Sequence, residues 1–286
     1  MPELPEVETI RRQLAPRVEG RRIERLTIAD ARWCAPLPPD TVTDAVAGRR
    51  VERLGRRGKY LVWALEGERF LLVHLRMTGT LLYDPPEAPA HLRVRFALDD
   101  RHWVDFADQR RFGTGELAWG REGLDAFFAA RLGVEPLGAD FTDERMRRLA
   151  RGCRAPAKAF LLDQKRIAGV GNIYADEALF RAGIHPLRPA GKLDRRQLAA
   201  LRGAVVDSLH AGIGAGGATI DDYRDIEGVQ GSFQDQFLVH RRAGLPCPRC
   251  GAAVKKMAVG GRGTYVCERC QPRPRRRRAV RPPAAR

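Results

Sequence analysis

The sequence predicts an α+β chain, and three observations carry that prediction. Residues 17–135 read as short β-strands separated by turns, which suits a sandwich or barrel with the first helix lying against it. From residue 136 the apolar spacing becomes helical. Near the end, two Cys-x-x-Cys pairs flank a hairpin pattern. The 286 residues are enough for two domains with cores of their own.

The opening stretch is Met1-Pro2-Glu3-Leu4-Pro5-Glu6-Val7-Glu8. Pro5 suits the first turn of a helix, and Glu6 and Glu8 suit its positive end. Val7, Ile10 and Leu14 line one face, and Pro16 is expected to stop the helix. A chemical reading stands beside this structural one. Once Met1 is removed, the Pro2 nitrogen is a free secondary amine. Such α-amino groups titrate near ~7.7–8.0, so a useful fraction is unprotonated at neutral pH. Attack on an aldehyde carbon then gives an iminium, and Glu3 is placed to move protons.

Strands are expected at Ile23–Ile28, Lys59–Leu65, Arg69–Leu75, Leu92–Leu98 and His102–Phe106, with a short helix over Val42–Val46. Glu66-Gly67-Glu68 closes a hairpin. Lys59 sits at a strand mouth after Arg56-Arg57-Gly58. Arg76-Met77-Thr78-Gly79 and Asp108-Gln109-Arg110-Arg111-Phe112-Gly113 place an apolar side chain on a turn beside arginine. Each suits a wedge into a base stack, and each equally suits a turn capping a sandwich core.

Glu135-Pro136-Leu137-Gly138 reads as a linker. Helices follow at Asp143–Ala150, Ala157–Asp163, Tyr174–Phe180 and Asp194–Leu209. Gly169-Val170-Gly171-Asn172 leaves backbone N–H groups and the Asn172 amide at a helix N-terminus, an arrangement suited to phosphate. Close packing is the other reason for glycine there. The glycine-rich 212–217 stretch and the polar 221–231 segment are expected to be a lid or an unordered loop.

Cys247, Cys250, Cys267 and Cys270 supply four thiolates from two knuckles, which selects one structural zinc. The hairpin between the pairs turns at Gly260-Gly261-Arg262. Cys34 and Cys153 stand apart, and the cysteine pattern as a whole suits a metal in a reducing compartment rather than disulfides. The formal charge of +16 favours a polyanionic partner; DNA, ribosomal RNA and anionic membrane all satisfy charge alone. Removing the seven arginines of residues 273–286 leaves +9. No stretch approaches the ~20 apolar residues of a membrane span, and the N-terminus lacks a signal-peptide layout. The chain is expected to be soluble, cytoplasmic and monomeric.

Together these stretches closely resemble the formamidopyrimidine-DNA glycosylase family, the bifunctional enzymes that remove 8-oxoguanine and ring-opened purines. The resemblance rests on residues 1–8, Arg57-Gly58-Lys59-Tyr60-Leu61, His74-Leu75-Arg76-Met77-Thr78-Gly79, Arg110-Arg111-Phe112-Gly113, Gly169–Ala175, Gly216–Ile220, and the four cysteines with Arg262. These run in the family's order to about residue 272. The resemblance implies an N-terminal β-sandwich domain (2–134), a helix–two-turns–helix domain (135–236), a four-cysteine zinc-finger β-hairpin (237–272) and a basic tail (273–286). It implies damaged double-stranded DNA as partner, Pro2 as nucleophile, Glu3 as proton donor and Lys59 as phosphate contact and general acid. It implies Met77, Arg110 and Phe112 as a wedge, Arg111, Asn172 and Arg262 on the bent backbone, Lys158 near the lesion, and His91 as a further DNA contact. Arg262 is also a possible second proton donor under it.

Three departures stand out. Arg76 occupies a position that is often Gly. Thr219–Tyr223 is acidic where many members carry Lys or Arg. Val239-His240-Arg241 replaces a commoner Val-Tyr-Gly. Two rivals remain: the endonuclease VIII branch, against which Leu4 and Gly216–Ile220 argue, and a non-catalytic zinc-ribbon nucleic-acid binder, which has no need of Pro2-Glu3.

Overall fold

The computed structural model describes residues 2–274. The expectations for Met1 and for residues 275–286 of the tail fall outside them. Helix α1 (Leu4–Val18) runs through Pro16, which therefore does not stop it. Pro16 and Arg12 are exposed, so water can take the carbonyl that proline leaves unpaired. Glu19 N–H still bonds Ala15 O at 2.9 Å.

Eight antiparallel strands follow: β1 (Arg22–Ile28), β2 (Arg49–Arg57), β3 (Tyr60–Leu65), β4 (Arg69–His74), β5 (Gly79–Tyr83), β6 (Leu92–Leu98), β7 (Trp103–Asp108) and β8 (Thr114–Trp119). Their order is β5-β7-β6-β1-β2-β3-β4-β8. The β1–β2 pairing covers only Arg22↔Arg50 and Ile23↔Arg49, and there the two halves fold over one another. Trp63 and Phe96, one from each half, stack at 5.1 Å in the core between them. Helix α2 (Pro39–Val46) closes one end with Val42 and Val46. Helix α3 (Gly120–Arg131) packs Leu124 beside Phe70 and Leu72 on the outer face.

The second half holds α4 (Asp143–Ala150), α5 (Ala157–Leu162), α6 (Asn172–Arg181) and α7 (Arg195–Gly214). Asp194 caps α7 by accepting from Gln197 N–H at 2.8 Å. The helix extends through Gly214, so half of the glycine-rich stretch is helical. The polar 221–231 segment is a docked strap. Asp225 accepts from Gln13 at 2.9 Å, Glu227 pairs with Arg17 at 2.6 Å, and Ile226 O accepts from Tyr83 N–H at 2.9 Å. Tyr223 and Ile226 are buried in the sandwich core.

Strands β9 (Lys255–Val259) and β10 (Arg262–Val266) form the zinc hairpin. Its turn is two residues, Gly260-Gly261, with φ of +57° and +74°. Such a turn needs positive φ at both positions. Arg262 is the first residue of β10, opposite Val259, rather than part of the turn.

Helix α1 belongs to both cores. Leu4 packs among the helices, whereas Val7, Ile10 and Leu14 pack in the sandwich. Its buried charges are matched. Glu8 accepts from Arg11, Arg12 and buried Arg56 at 2.8–3.0 Å, and Arg56 also reaches Glu135 at 2.6 Å. Burial alone would raise the Glu8 carboxyl, but the three arginine hydrogen bonds outweigh it and hold it at about 2. Its folded value lies below the ordinary 4.5, so its contribution is present above that pH and is lost as pH falls toward 2. Glu8→Gln is expected to cost about 1–2 kcal/mol at pH 7 after solvent screening. It should also flatten the acid limb of the stability curve between the two pH values, as read by denaturant unfolding across pH.

Candidate active site and nucleic-acid interface

The site is assembled where the N-terminus meets the turn before α6. Leu4 N–H bonds Gly169 O at 3.1 Å. Glu3 turns its carboxylate onto the N-terminus of α6, accepting from Ile173 N–H at 3.0 Å. Two glycines make room. A Cβ on Gly171 would collide with Glu3 Cδ, and one on Gly169 would lie 2.8 Å from Leu4 Cβ. Glu3 thus takes the Ile173 and Tyr174 amides just beyond the 169–172 stretch expected to cradle phosphate, and Gly169 and Gly171 allow the close packing this needs. Pro2 is buried, one residue before this contact.

Glu6 sits behind Glu3 and is fully buried. It accepts from Glu3 N–H at 2.7 Å, Tyr174 OH at 2.7 Å and Ala218 N–H at 2.8 Å. Burial, then the neighbouring Glu3 charge, pushes its carboxyl above the ordinary range. Sequence reading gives Glu6 only a helix-end role; the Glu-x-x-Glu spacing is the available signal.

A cavity of about 290 Å3 opens in front of Glu3. Met77, Asn172, Tyr223, Arg262 and the acidic pair Asp221 and Asp222 help to line it. Lys59 is buried nearby. Burial lowers its ammonium's pKa, opposed by the charges of Glu3 and Glu6 and assisted by Arg262. Its turn is pinned by Glu135, which accepts from Gly58 N–H at 2.9 Å and pairs with Arg57 at 2.8 Å.

The Met77 and Arg110–Gly113 loops are tied by one buried carboxylate that the sequence does not reveal. Asp108 accepts from Thr78 Oγ1, Arg110 N–H (3.1 Å), Phe112 N–H (2.8 Å) and Gly113 N–H (2.7 Å). Asp-x-x-x-x-Gly across a tight turn is the legible hint. Phe112 is 51% exposed, with the Arg110 guanidinium 4.8 Å from its ring centre. Arg111 has φ +60° and is held by Asp30 at 2.8 Å. His91 is exposed, and its carbonyl accepts Asp108 N–H at 3.0 Å.

Lys158, expected near the lesion, lies within the electrostatic reach of Glu3 and Arg262. It is completely buried, 2.7 Å from Asp176, and donates to Gly263 O and Thr264 Oγ1 at 2.9 Å. It ties α5 and α6 to the hairpin that carries Arg262. Asn172 Nδ2 donates to the same Gly263 carbonyl at 3.0 Å. The His240 departure also gains a reason: its Nδ1 lies 2.8 Å from Asp176 Oδ2, and its ring packs against Phe237 and Tyr265. Glu177 holds the same loop by accepting from the N–H groups of Leu238, Val239 and His240. Arg76 and Arg241 have φ of +55° and +56°.

The four cysteine sulfurs lie within 4.8 Å of one another, at 3.8 Å for Cys247–Cys270 and 3.5 Å for Cys250–Cys267. Tetrahedral zinc with ~2.3 Å bonds needs sulfurs ~3.8 Å apart. The donor set fits one zinc and leaves no open position, so the ion is structural.

Comparison with known proteins agrees along the whole chain. Family models match at residues 1–115 (formamidopyrimidine-DNA glycosylase N-terminal domain), 132–224 (its H2TH domain) and 244–273 (zinc finger found in FPG and IleRS). The formamidopyrimidine-DNA glycosylase of Chloroflexus aurantiacus is 46% identical over 273 residues, covering 95% of this chain and 98% of that protein. The chain belongs to the formamidopyrimidine-DNA glycosylase family. The Heliobacterium modesticaldum glycosylase is 44% identical, over 95% of this chain and all of its own. The crystal structure of MutM (Fpg) from Thermus thermophilus superposes with a TM-score of 0.85 at 41% identity, covering 94% and 98% of the two chains. Lactococcus lactis Fpg in complex with abasic-site DNA gives 0.88 at 33%, covering 95% and 100%. The chain is thus a DNA-repair glycosylase by family. No helix among the described residues is long and apolar enough to cross a membrane.

Two outcomes test this geometry. Gly171→Ala should displace the Glu3 carboxylate and lower glycosylase turnover about 100-fold, since ångström-scale misplacement costs that much, while zinc content stays unchanged. Metal analysis of the purified protein should find one zinc per chain. Cys250→Ala should lose it and unprotect the amides of residues 255–266 in hydrogen exchange.

Proposed function

We propose that the chain excises oxidised purines, 8-oxoguanine and formamidopyrimidines, from duplex DNA, and then cleaves the abasic strand through a Schiff base on Pro2. The observation that carries this reading is the Glu3 carboxylate, fixed at the cavity wall by α6, one residue from Pro2 and in the field of Lys59. A zinc-ribbon binding protein has no use for that arrangement. The proposed division of labour follows the residue ranges 2–134, 135–236 and 237–272.

The damaged nucleotide leaves the stack at a cost of about a few kcal/mol, least for a damaged base. Met77, Arg110 and Phe112 fill the gap from two loops that Asp108 holds as one unit. Arg111, Asn172 and Arg262 hold the bent backbone, with Lys59 on the lesion-side phosphates and His91 beside the Asp108 loop. After loss of Met1, the Pro2 nitrogen attacks the sugar C1′. The C1′–base bond breaks, the base leaves with a proton, and Glu3 serves as the donor that opens the sugar ring at O4′. The resulting iminium acidifies the C2′ proton. Its removal expels the 3′ phosphate, a second elimination expels the 5′ phosphate, and water hydrolyses the iminium to regenerate the amine. Arg262 is the second candidate donor. The acidic pair Asp221 and Asp222 at the cavity rim bears on lesion choice.

Borohydride trapping tests the reaction. Duplex DNA with 8-oxoguanine opposite cytosine should give a covalent adduct that Pro2→Gly greatly reduces. An adduct formed chiefly on an oxidised-pyrimidine duplex would keep the chemistry and move the substrate to the endonuclease VIII class. No adduct on either duplex, from protein shown by mass to lack Met1, would leave a binding module and end the lyase reading.

A further inference from the structure

A cavity of about 500 Å3 lies on the outer face of the sandwich, between α3 and strands β2 and β3. Val62, Ala64, Phe70, Leu124, Phe128 and Leu132 make its apolar part. Helix α3 buries Phe70 but leaves Val62, Ala64, Phe128 and Leu132 half-covered, so this small core is open on one side. No residue of its wall lines the cavity in front of Glu3.

The chain's own packing does not account for Gly55 in this wall. It sits inside β2, where glycine weakens a strand. Its φ is not left-handed, and a Cβ built there meets only Val62, at an ordinary 3.8 Å. Neither backbone conformation nor crowding among the described residues excludes a side chain. The glycine instead keeps the cleft open, as strand glycines do where a ligand or a second backbone comes close.

The polar part of the wall is cationic, with Arg53, Arg56, Arg57 and Arg121 against Asp125. Arg56 is matched by Glu8 and Glu135, and Arg57 by Glu135 and the Gly133 carbonyl. Arg53 and Arg121 have no carboxylate partner among the described residues. Arg121 rests 5.3 Å from the centre of the Phe70 ring. Strand pairing sets Arg53, Ala64 and Phe70 in one row across the sheet, and Gly55, Val62 and Leu72 in the next. The two free cations thus frame the first row, and the apolar cleft opens at the second, ~7 Å along the strand. An extended peptide matches that spacing, because its side chains i and i+2 point the same way ~7 Å apart.

We propose that this groove docks an extended acidic segment of a partner protein. Its carboxylates pair with Arg53 and Arg121, and an apolar side chain two residues further on lies over Gly55 and Val62. Charge complementarity selects this occupant. The chain's own residues 273–286 carry seven arginines and have the wrong sign. A nucleic-acid backbone would leave Val62, Phe128 and Leu132 uncovered.

The test is fluorescence anisotropy of a labelled, end-blocked hexapeptide, Ser-Asp-Asp-Ser-Phe-Ser, with the full-length protein at about 150 mM salt. Binding should be saturable. Replacing the peptide's Phe by Ser should weaken it about tenfold, the worth of one buried aromatic side chain. Gly55→Leu fills the cleft and should cost about the same factor. Arg53→Glu combined with Arg121→Glu should weaken binding about fivefold or more. Both variants should keep the wild-type melting temperature; if Gly55→Leu does not, the exposed arginine pair decides the matter. Saturating the protein with duplex DNA should leave the peptide bound. Absence of saturable binding overturns the assignment. So does equal binding of the Phe-less peptide, which would reduce the contact to bare charge, or full binding to folded Gly55→Leu. Displacement by duplex DNA overturns it as well, by making the groove part of the DNA face.

Discussion

The contact on which the molecule depends is the seating of Glu3 and Leu4 into the Gly169–Gly171 turn. It joins the first residues of the chain to the first turn of α6, 170 positions away. Without it, α1 would belong only to the sandwich. With it, Leu4 enters the helical core while Val7, Ile10 and Leu14 stay in the other. One helix thereby sets the angle between the two halves, and the cavity forms at the point where that angle is fixed. The carboxylate beside the chain's first residues is thus the same group that caps a helix in the opposite half.

Buried charge is used throughout as a positioning device. Several carboxylates collect donors at once: Glu6 from Glu3, α6 and residue 218; Asp108 from the Met77 and Arg110–Gly113 loops; Glu177 from three successive amides; half-buried Glu135 from the Lys59 turn and β2. Carboxylates in this setting cost energy to desolvate and repay it only when every lone pair is met. The return is geometric definition rather than net stability. Loops that carry the arginines and the exposed Phe112 are consequently held by acids that lie behind them and never face a ligand.

Much of this is readable from the residues, and the failures have physical causes. The zinc hairpin, α4, α5 and the β3–β4 hairpin follow from spacing and period. Strand β2 escapes because a bulge between Val51 and Arg53 puts its buried residues, Val51 and Leu54, three apart instead of two. The same break occurs in β1 at Ile23 and Leu26, where flanking apolar residues rescue the reading. Lys158 shows a different limit. A lysine in Ala-Lys-Ala-Phe looks surface-bound, and only Asp176, eighteen residues on, reveals that it is interior. Glu3 is legible from its chemistry, but its docking onto the Ile173 and Tyr174 amides is not, because sequence gives no sign that a carboxylate 170 positions away arrives there. The four arginines at left-handed positions, Arg76, Arg101, Arg111 and Arg241, are legible only once φ is known.

The seating of Glu3 has a consequence for synthesis. A ribosome releases the N-terminus first, yet that terminus finds its resting place only when residue 174 has emerged. At about 5–20 residues per second the delay is roughly 10–30 s. During it the sandwich strands can pair locally while residues 2 and 3 lack their docking site. The last strap, near residue 226, then closes over α1. In a nascent chain the Glu3 carboxylate therefore lacks its α6 partners until residues 173 and 174 have emerged, and α1 lacks its strap until residue 226 has.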